Sequence, residues 1–177
     1  MVSQYWDPDN VKSHSSALTS HECFSSWHKR NDISGQSDPT SAEKLRSGFE
    51  NDKAIDGYYC LKNSKWAYHS TESNGGGWLQ LNLKGYFSLK CIRIPVRNDG
   101  TSKSGHMQEV EVRFGNNSRA DNFEKNPIII AKTASGLEGT IFEYCLDRPL
   151  VGRYLLLQEK KSEDDILVVG EIQVLVE

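Results

Sequence analysis

The chain carries a series of short segments in which apolar and polar residues alternate, the pattern of β-strands with one buried face. Residues 78–83 (WLQLNL) place Leu79, Leu81 and Leu83 on one side. Further alternating or β-branched runs follow at residues 91–96, 109–114, 127–131, 140–145 and 153–158. The last run, residues 166–176, is long for one strand, and Gly170 within it predicts a β-bulge.

Turn-forming residues separate these runs. Each of five short groups contains glycine, a residue that tolerates positive φ: residues 74–77, 98–100, 115–117, 135–136 and 151–152. Residues 2–51 are polar and irregular and predict loops with one short helix over Ser41 to Phe49. Strands separated by turns, without long helical patterns, predict an all-β antiparallel sandwich or jelly roll. We expect a tail over residues 1–10 and a single domain over residues 11–177.

Composition narrows the function classes. A length of 177 residues with 37% hydrophobic residues suits one folded domain. The formal charge of -3 supplies no basic field for nucleic acid, and no apolar run is long enough to span a membrane. The sequence also lacks the common catalytic and nucleotide-binding motifs, so we expect a protein that is not an enzyme.

The four cysteines bear on the compartment. Cys23, Cys60, Cys91 and Cys145 form either two disulfides, with three possible connectivities, or four thiols in a reducing compartment. The sequon at residues 116–118 favours secretion. We therefore expect an extracellular or secreted domain, with disulfide connectivity left open.

The order of motifs resembles a known fold family. Seven segments carry the resemblance: residues 54–57 (AIDG), 66–69 (WAYH), 77–83 (GWLQLNL), 91–94 (CIRI), 110–115 (VEVRFG), 152–155 (GRYL) and 170–174 (GEIQV). Together they resemble the galactose-binding-like jelly roll of discoidin and coagulation-factor C domains (F5/8 type C). Within that group the chain is most similar to the F-type lectins, or fucolectins, and the resemblance covers roughly residues 10–177.

The resemblance implies a sugar site. The family's binding signature is a histidine, a long spacer, Arg-x-Asp and then a basic residue. Here His69 is followed after 27 residues by Arg97 and Asp99, and Lys103 follows after three more, so that each spacer differs by one residue from the family's. The resemblance implies that His69, Arg97 and Lys103 donate to sugar hydroxyls. Tyr68 would form an apolar wall, and Asp99 would orient Arg97 or hold the loop.

Two departures from the family pattern bear on specificity. Gly100 and Thr101 stand where the family has adjacent cysteines against the sugar, so the fucose preference does not carry over directly. Ala67 and Gly170 stand where the family has a disulfide pair, and both partners of that pair are therefore replaced together.

A structural calcium is implied by the same resemblance. Asp56 lies in a glycine-containing loop, and Glu171 lies in the last predicted strand. Two carboxylates with backbone carbonyls are oxygen ligands that calcium accepts. The family pattern implies that Asp56 and Glu171 bring the charge, while Lys53 and Tyr58 contribute carbonyls. An ordinary Asp-Gly turn and a Glu171 ion pair are the alternative interpretation.

Together these features predict a non-catalytic recognition module. The first hypothesis is a lectin-like domain that binds a fucose-type or related glycan through His69, Arg97 and Lys103. The alternative is a protein-interaction domain of a larger assembly whose sugar site has decayed.

Overall fold

The computed structural model describes residues 23–25, 31–41, 50–60, 67–70, 76–96, 109–133, 141–160 and 167–177. These ranges contain the strands β1 (Cys23–Ser25), β2 (Asp38–Ser41), β3 (Tyr58–Cys60), β4 (Tyr68–His69), β5 (Trp78–Pro95), β6 (Val110–Gly115), β7 (Ile128–Ile130), β8 (Ile141–Glu159), β9 (Val168–Val169) and β10 (Gln173–Val176). Short 3-10 helices occur at Ser34–Gln36, Asn51–Ala54 and Phe123–Lys125. All strand pairings among these residues are antiparallel, which confirms the predicted all-β antiparallel class.

The main sheet has six strands in the order β10-β5-β8-β6-β7, with β2 also paired to β5. One edge of β5 pairs with β8. The opposite edge of β5 pairs with β2 in its first half and with β10 in its second half. Two small sheets, β1–β3 and β4–β9, complete the described pairings. The two halves of β5 therefore lie in different surroundings although they belong to one strand.

The long β5–β8 ribbon is interrupted by two irregularities. Between the pairs Asn82–Tyr154 and Phe87–Gly152, β5 advances five residues while β8 advances two. The reverse occurs between Leu89–Leu150 and Cys91–Cys145, where β8 has the extra residues. Extra residues of this kind bend a strand and increase its twist. This explains how both halves of the ribbon contribute to one core.

The core is formed by the alternating positions that the sequence singled out. Leu79, Leu81 and Leu83 are at most 1% exposed, and Ile92 and Ile94 from the second half of β5 join the same cluster. Burying each such side chain contributes about 1.5–3 kcal/mol. The ribbon is thus the element around which the core packs.

Three local predictions differ from the structure. Residues 151–152 were expected to form a turn but lie inside β8, because Gly152 packs directly against Phe114. Residues 166–176 were expected to form one bulged strand, but β9 pairs with β4 while β10 pairs with β5. The runs at 78–83 and 91–96 belong to one strand instead of two.

Several predictions lie outside the described residues. Among them are the boundary after residue 10, the turns at residues 98–100 and 135–136 and, except for Ser41 at the end of β2, the helix over Ser41 to Phe49. Among the residues that the structure describes, no helix is long and apolar enough to cross a membrane.

Candidate functional site

One end of the main sheet gathers the attachment points of several connecting segments. The backbone N–H of Glu159 donates to the carbonyl of Gly77 (2.9 Å), and that of Lys160 donates to Glu109 (3.1 Å). Glu109 in turn donates to the carbonyl of Thr133 (3.3 Å). These backbone contacts place the segments that begin or end at these residues beside one another.

The other end of the segment 97–108 follows the opposite end of β5 in the ladder. Pro95, just before it, pairs with Ile141 across the ribbon, and Ile141 directly follows the segment 134–140. We call the end of the sheet at which Glu159 and Lys160 make these backbone contacts the loop end, defined by Gly77, Glu109, Thr133 and Lys160. Segments 71–75, 97–108, 134–140 and 161–166 start or finish within a few residues of it.

His69 lies beside the loop end. It pairs with Val168 in the β4–β9 sheet and is 6% exposed. The next residue, Ser70, exchanges hydrogen bonds with Leu167: its N–H donates to the carbonyl (2.9 Å), and its Oγ accepts from the Leu167 N–H (3.0 Å). Gly77 approaches Ser70 so closely that a Cβ there would lie 2.5 Å from Oγ. Glycine at position 77 thus brings the start of β5 against the residue after His69.

The remaining residues of the predicted sugar signature lie outside the described residues. Arg97, Asp99 and Lys103 belong to the segment 97–108, which ends next to Glu109 at the loop end. The structure therefore places His69 near the point where this segment joins β6.

Tyr68 occupies a different position from the one expected of a ligand wall. Its ring is fully buried in the core, and its hydroxyl donates to the carbonyl of Trp78 (2.9 Å). Burial raises the pKa of Tyr68 to about 12, so the hydroxyl stays a neutral donor. The ring presents no exposed face, so Tyr68 does not form the apolar wall that was expected.

Asp56 and Glu171 are brought to the same region from distant parts of the chain. The Gly57 N–H, adjacent to Asp56, donates to Oε2 of Glu171 (3.0 Å), and Gly57 adopts φ 74°, which favours glycine. Asp56 Oδ1 accepts from the Tyr58 N–H (2.8 Å), while Oδ2 lies 3.5 Å from Nζ of Lys53. All four residues of the predicted calcium set are thus neighbours in or beside this turn.

Glu171 carries a buried acidic group. Its side chain is fully buried, and its Oε1 has no hydrogen-bond partner. Desolvation raises the pKa of Glu171 to about 9; the Gly57 hydrogen bond lowers it, and the negative charges of Asp56 and Asp32 raise it further. The influence of Asp32 was not predicted from the sequence, because it lies 139 residues earlier and only folding brings it close.

The residues fit a calcium ion by this donor chemistry. A buried carboxylate oxygen without a donor, near a second carboxylate, is stabilised by a cation. The ammonium of Lys53 already supplies part of that positive charge to Asp56.

A further cluster was missed by the sequence analysis. Cys91 and Cys145 form a disulfide, and one ligand atom each of Cys91, Glu143 and Cys145 lie within 4.8 Å of one another. It is the one group of three such side chains in the described part of the chain. The available signal was the spacing of Glu143 and Cys145, two residues apart and so on one face of a strand.

Comparison with known proteins supports the fold. No family model and no curated protein matches the chain. An F-type lectin (fucolectin) from striped bass serum, Morone saxatilis, superposes with a TM-score of 0.66 at 19% identity, over 84% of this chain and 50% of that one. The lectin domain of lectinolysin, complexed with Lewis B antigen, gives 0.66 at 16% identity, covering 85% and 99%.

A Streptococcus pneumoniae fucose-binding module gives a TM-score of 0.64 at 17% identity, with coverages of 82% and 95%. The chain therefore spans half of the striped bass lectin and nearly all of the other two. These similarities confirm the predicted jelly-roll fold of the F-type lectin and discoidin kind.

Proposed function

We propose that this domain is a non-catalytic carbohydrate-binding module whose site lies at the loop end. The observation that carries the proposal is the position of His69 beside the residues at which the segment with Arg97 and Lys103 joins β6. The fold shared with three sugar-binding proteins supports it.

The chemistry of the candidate residues suits a neutral sugar. Sugar hydroxyls need fixed donors and acceptors, which an imidazole, a guanidinium fork and an ammonium can provide. No proton transfer is required, which is consistent with a module that binds without catalysis. A fucose-type glycan is the finer proposal, with Gly100 and Thr101 as this chain's departure from the family pattern.

We also propose a structural calcium held by Asp56 and Glu171, with carbonyls of Lys53 and Tyr58. The support is the buried Oε1 of Glu171 and the second carboxylate beside it. Calcium would supply the positive charge that lets Glu171 ionise, and would tie the turn around Gly57 to the segment before β10. A chelator should therefore lower the melting temperature of calcium-loaded protein, and an unchanged melting curve would contradict the metal.

Secretion is the proposed context. The Cys91–Cys145 disulfide supports it, because disulfides persist in oxidising compartments. Thiol titration of the unfolded, unreduced protein should then find no free thiol, and four titratable thiols would overturn this assignment.

A glycan array probed with and without calcium is the test of function. Binding to a defined set of glycans supports the lectin proposal, and loss of that binding in chelator supports a calcium that organises the site. No binding across the array favours a protein partner instead. The exposed Tyr86 (65%) and Val151 (58%), in the middle of the ribbon, are a surface that such a partner could contact.

A further inference from the structure

The Cys91–Cys145 disulfide has an acidic neighbour. The two cysteines are directly opposite in β5 and β8, with Cα atoms 4.0 Å apart. Oε1 of Glu143 lies 3.6 Å from Sγ of Cys145. We propose that this disulfide is the oxidised state of a zinc site, in which the thiolates of Cys91 and Cys145 and the carboxylate of Glu143 bind one zinc ion after reduction.

The ligand types suit zinc. Zinc is bound in proteins by cysteine sulfur and carboxylate oxygen in tetrahedral geometry, and a water can complete three protein ligands. Calcium and magnesium prefer oxygen ligands only, so two sulfurs disfavour both ions.

The strands hold these ligands in place without the disulfide bond. The next pair along the β5–β8 ladder is Ile92–Tyr144. On the opposite edge of β5, Cys91 pairs with Leu175 of β10. Reduction therefore removes one covalent bond at a position where Cys91 keeps a backbone pairing partner on each edge of β5, next to the irregularity at which β8 has its extra residues. The two sulfurs remain on one face of the ribbon.

Arg93 orients the carboxylate and balances its charge. Arg93 is opposite Glu143 in the ladder, and its Nε donates to Oε2 (2.5 Å), which leaves Oε1 directed at the sulfur. Metal-binding carboxylates commonly have such an outer hydrogen bond. Zinc, two thiolates, one carboxylate and one guanidinium sum to zero charge, so the loaded cluster is neutral at a half-buried position.

The redox step needs a reductant that can reach sulfur. Cys145 is exposed and Cys91 is 7% exposed, so attack at Cys145 is the open route. A dithiol supplies two electrons and two protons: the S–S bond breaks, two thiols form, and the dithiol becomes a disulfide. Zinc then displaces the two thiol protons.

Zinc titration of phosphine-reduced protein tests the proposal. A trialkylphosphine is suitable because, unlike a dithiol, it does not supply thiolates: phosphorus is oxidised to the phosphine oxide with oxygen from water, and both cysteines become thiols. We expect one equivalent of zinc to bind to the reduced protein and none at this site in the untreated protein. Cobalt(II) should give thiolate charge-transfer absorption.

Matched variants locate the ion. Cys91→Ser/Cys145→Ser retains Cys23 and Cys60 and should lose the metal. Glu143→Gln keeps both thiols and should weaken zinc binding by more than about tenfold, since even outer contacts of a metal site contribute about ten- to a hundredfold. Circular dichroism checks that each reduced protein retains its β-sheet spectrum.

Two results would overturn the site. One is equal zinc binding by the reduced parent and by the double serine variant, which would place the ion elsewhere. The other is loss of the β-sheet spectrum on reduction with no zinc uptake, which would mean that the backbone does not hold the ligands.

Discussion

Glu171 is the residue at which burial and charge conflict most directly. With its pKa raised to about 9 from an ordinary 4.5, the folded protein holds a proton that the unfolded chain releases above about pH 4.5. Stability in chelator should therefore fall as pH rises from about 4.5 to 9, by up to about 1.4 kcal/mol per unit. Below about pH 4.5 Glu171 is protonated in both the folded and the unfolded state, so its effect on stability no longer changes with pH.

Glu171→Gln should remove this pH dependence, because the amide has the same shape and does not titrate. In chelator the variant should gain stability over the parent as pH rises, while in calcium it should lose the metal's stabilisation. Denaturant unfolding at several pH values measures both, with the exposed Glu124→Gln as control. Parallel profiles of parent and Glu171→Gln would contradict the buried acid.

Arg97→Lys is the residue-scale test of the sugar site. A guanidinium fork donates to two hydroxyls at once, and an ammonium of equal charge does not reproduce that geometry. For a glycan found on the array, affinity should fall roughly ten- to a hundredfold, as expected for loss of about 1.5–3 kcal/mol.

Arg148→Lys is the matched control for this substitution, since Arg148 lies at the ribbon irregularity, away from the loop end. His69→Ala should weaken binding in the same direction as Arg97→Lys. If both variants bind like the parent, the sugar site lies elsewhere on the jelly roll.

At the scale of elements, β8 depends on one glycine. A Cβ on Gly152 would lie 2.7 Å from Cε1 and 2.9 Å from Cζ of the fully buried Phe114. Gly152→Ala should therefore destabilise the fold by about 1–3 kcal/mol through overpacking, seen as a lower denaturant midpoint. Gly85→Ala is the control, because a Cβ at position 85 would lie 3.1 Å from the nearest ring atom of Phe87, which is only half-buried. Equal midpoints for the two variants would show that β8 tolerates the extra carbon.

Sequence alternation identified the strand segments, but it did not show which segments continue as one strand. The leucines at 79, 81 and 83 reveal a buried face, since side-chain alternation is a local property. That residues 78–83 and 91–96 form one strand depends on pairing with a partner about 50–80 residues away, which no local pattern encodes. Gly152 resembled a turn for the same reason: its contact with Phe114 exists only after folding.

The candidate sites also combine features that the sequence predicts with features that only the structure shows. The sequence singled out His69, Asp56 and Glu171 as candidates because their types and order match a family pattern. The buried ring of Tyr68 and the approach of Asp32 to Glu171 depend on packing between distant segments. Sequence order therefore indicated candidate residues for the two sites, while their exposure and charge environment required the structure.

At the scale of the whole molecule, the disulfide closes a long loop. Cys91 and Cys145 are separated by 54 residues, and closing a loop of that length restricts the unfolded chain by about 4 kcal/mol. Cys91→Ser/Cys145→Ser should lower the free energy of unfolding by about 2–5 kcal/mol in denaturant titration. Cys91→Ala/Cys145→Ala separates loss of the bond from burial of a serine hydroxyl at position 91. If neither variant changes the midpoint, the bond does not restrict the unfolded ensemble.

The register of the β5–β8 ribbon also sets the order of events during synthesis. Trp78 pairs with Gln158, so the first half of β5 has no β8 partner until about 80 further residues have been translated. Pairing over such distances is slow, with folding times of milliseconds to seconds for comparable β domains. Until then β8 cannot cover the apolar face of β5, so we expect a chaperone that binds extended apolar segments to recognise this face during synthesis.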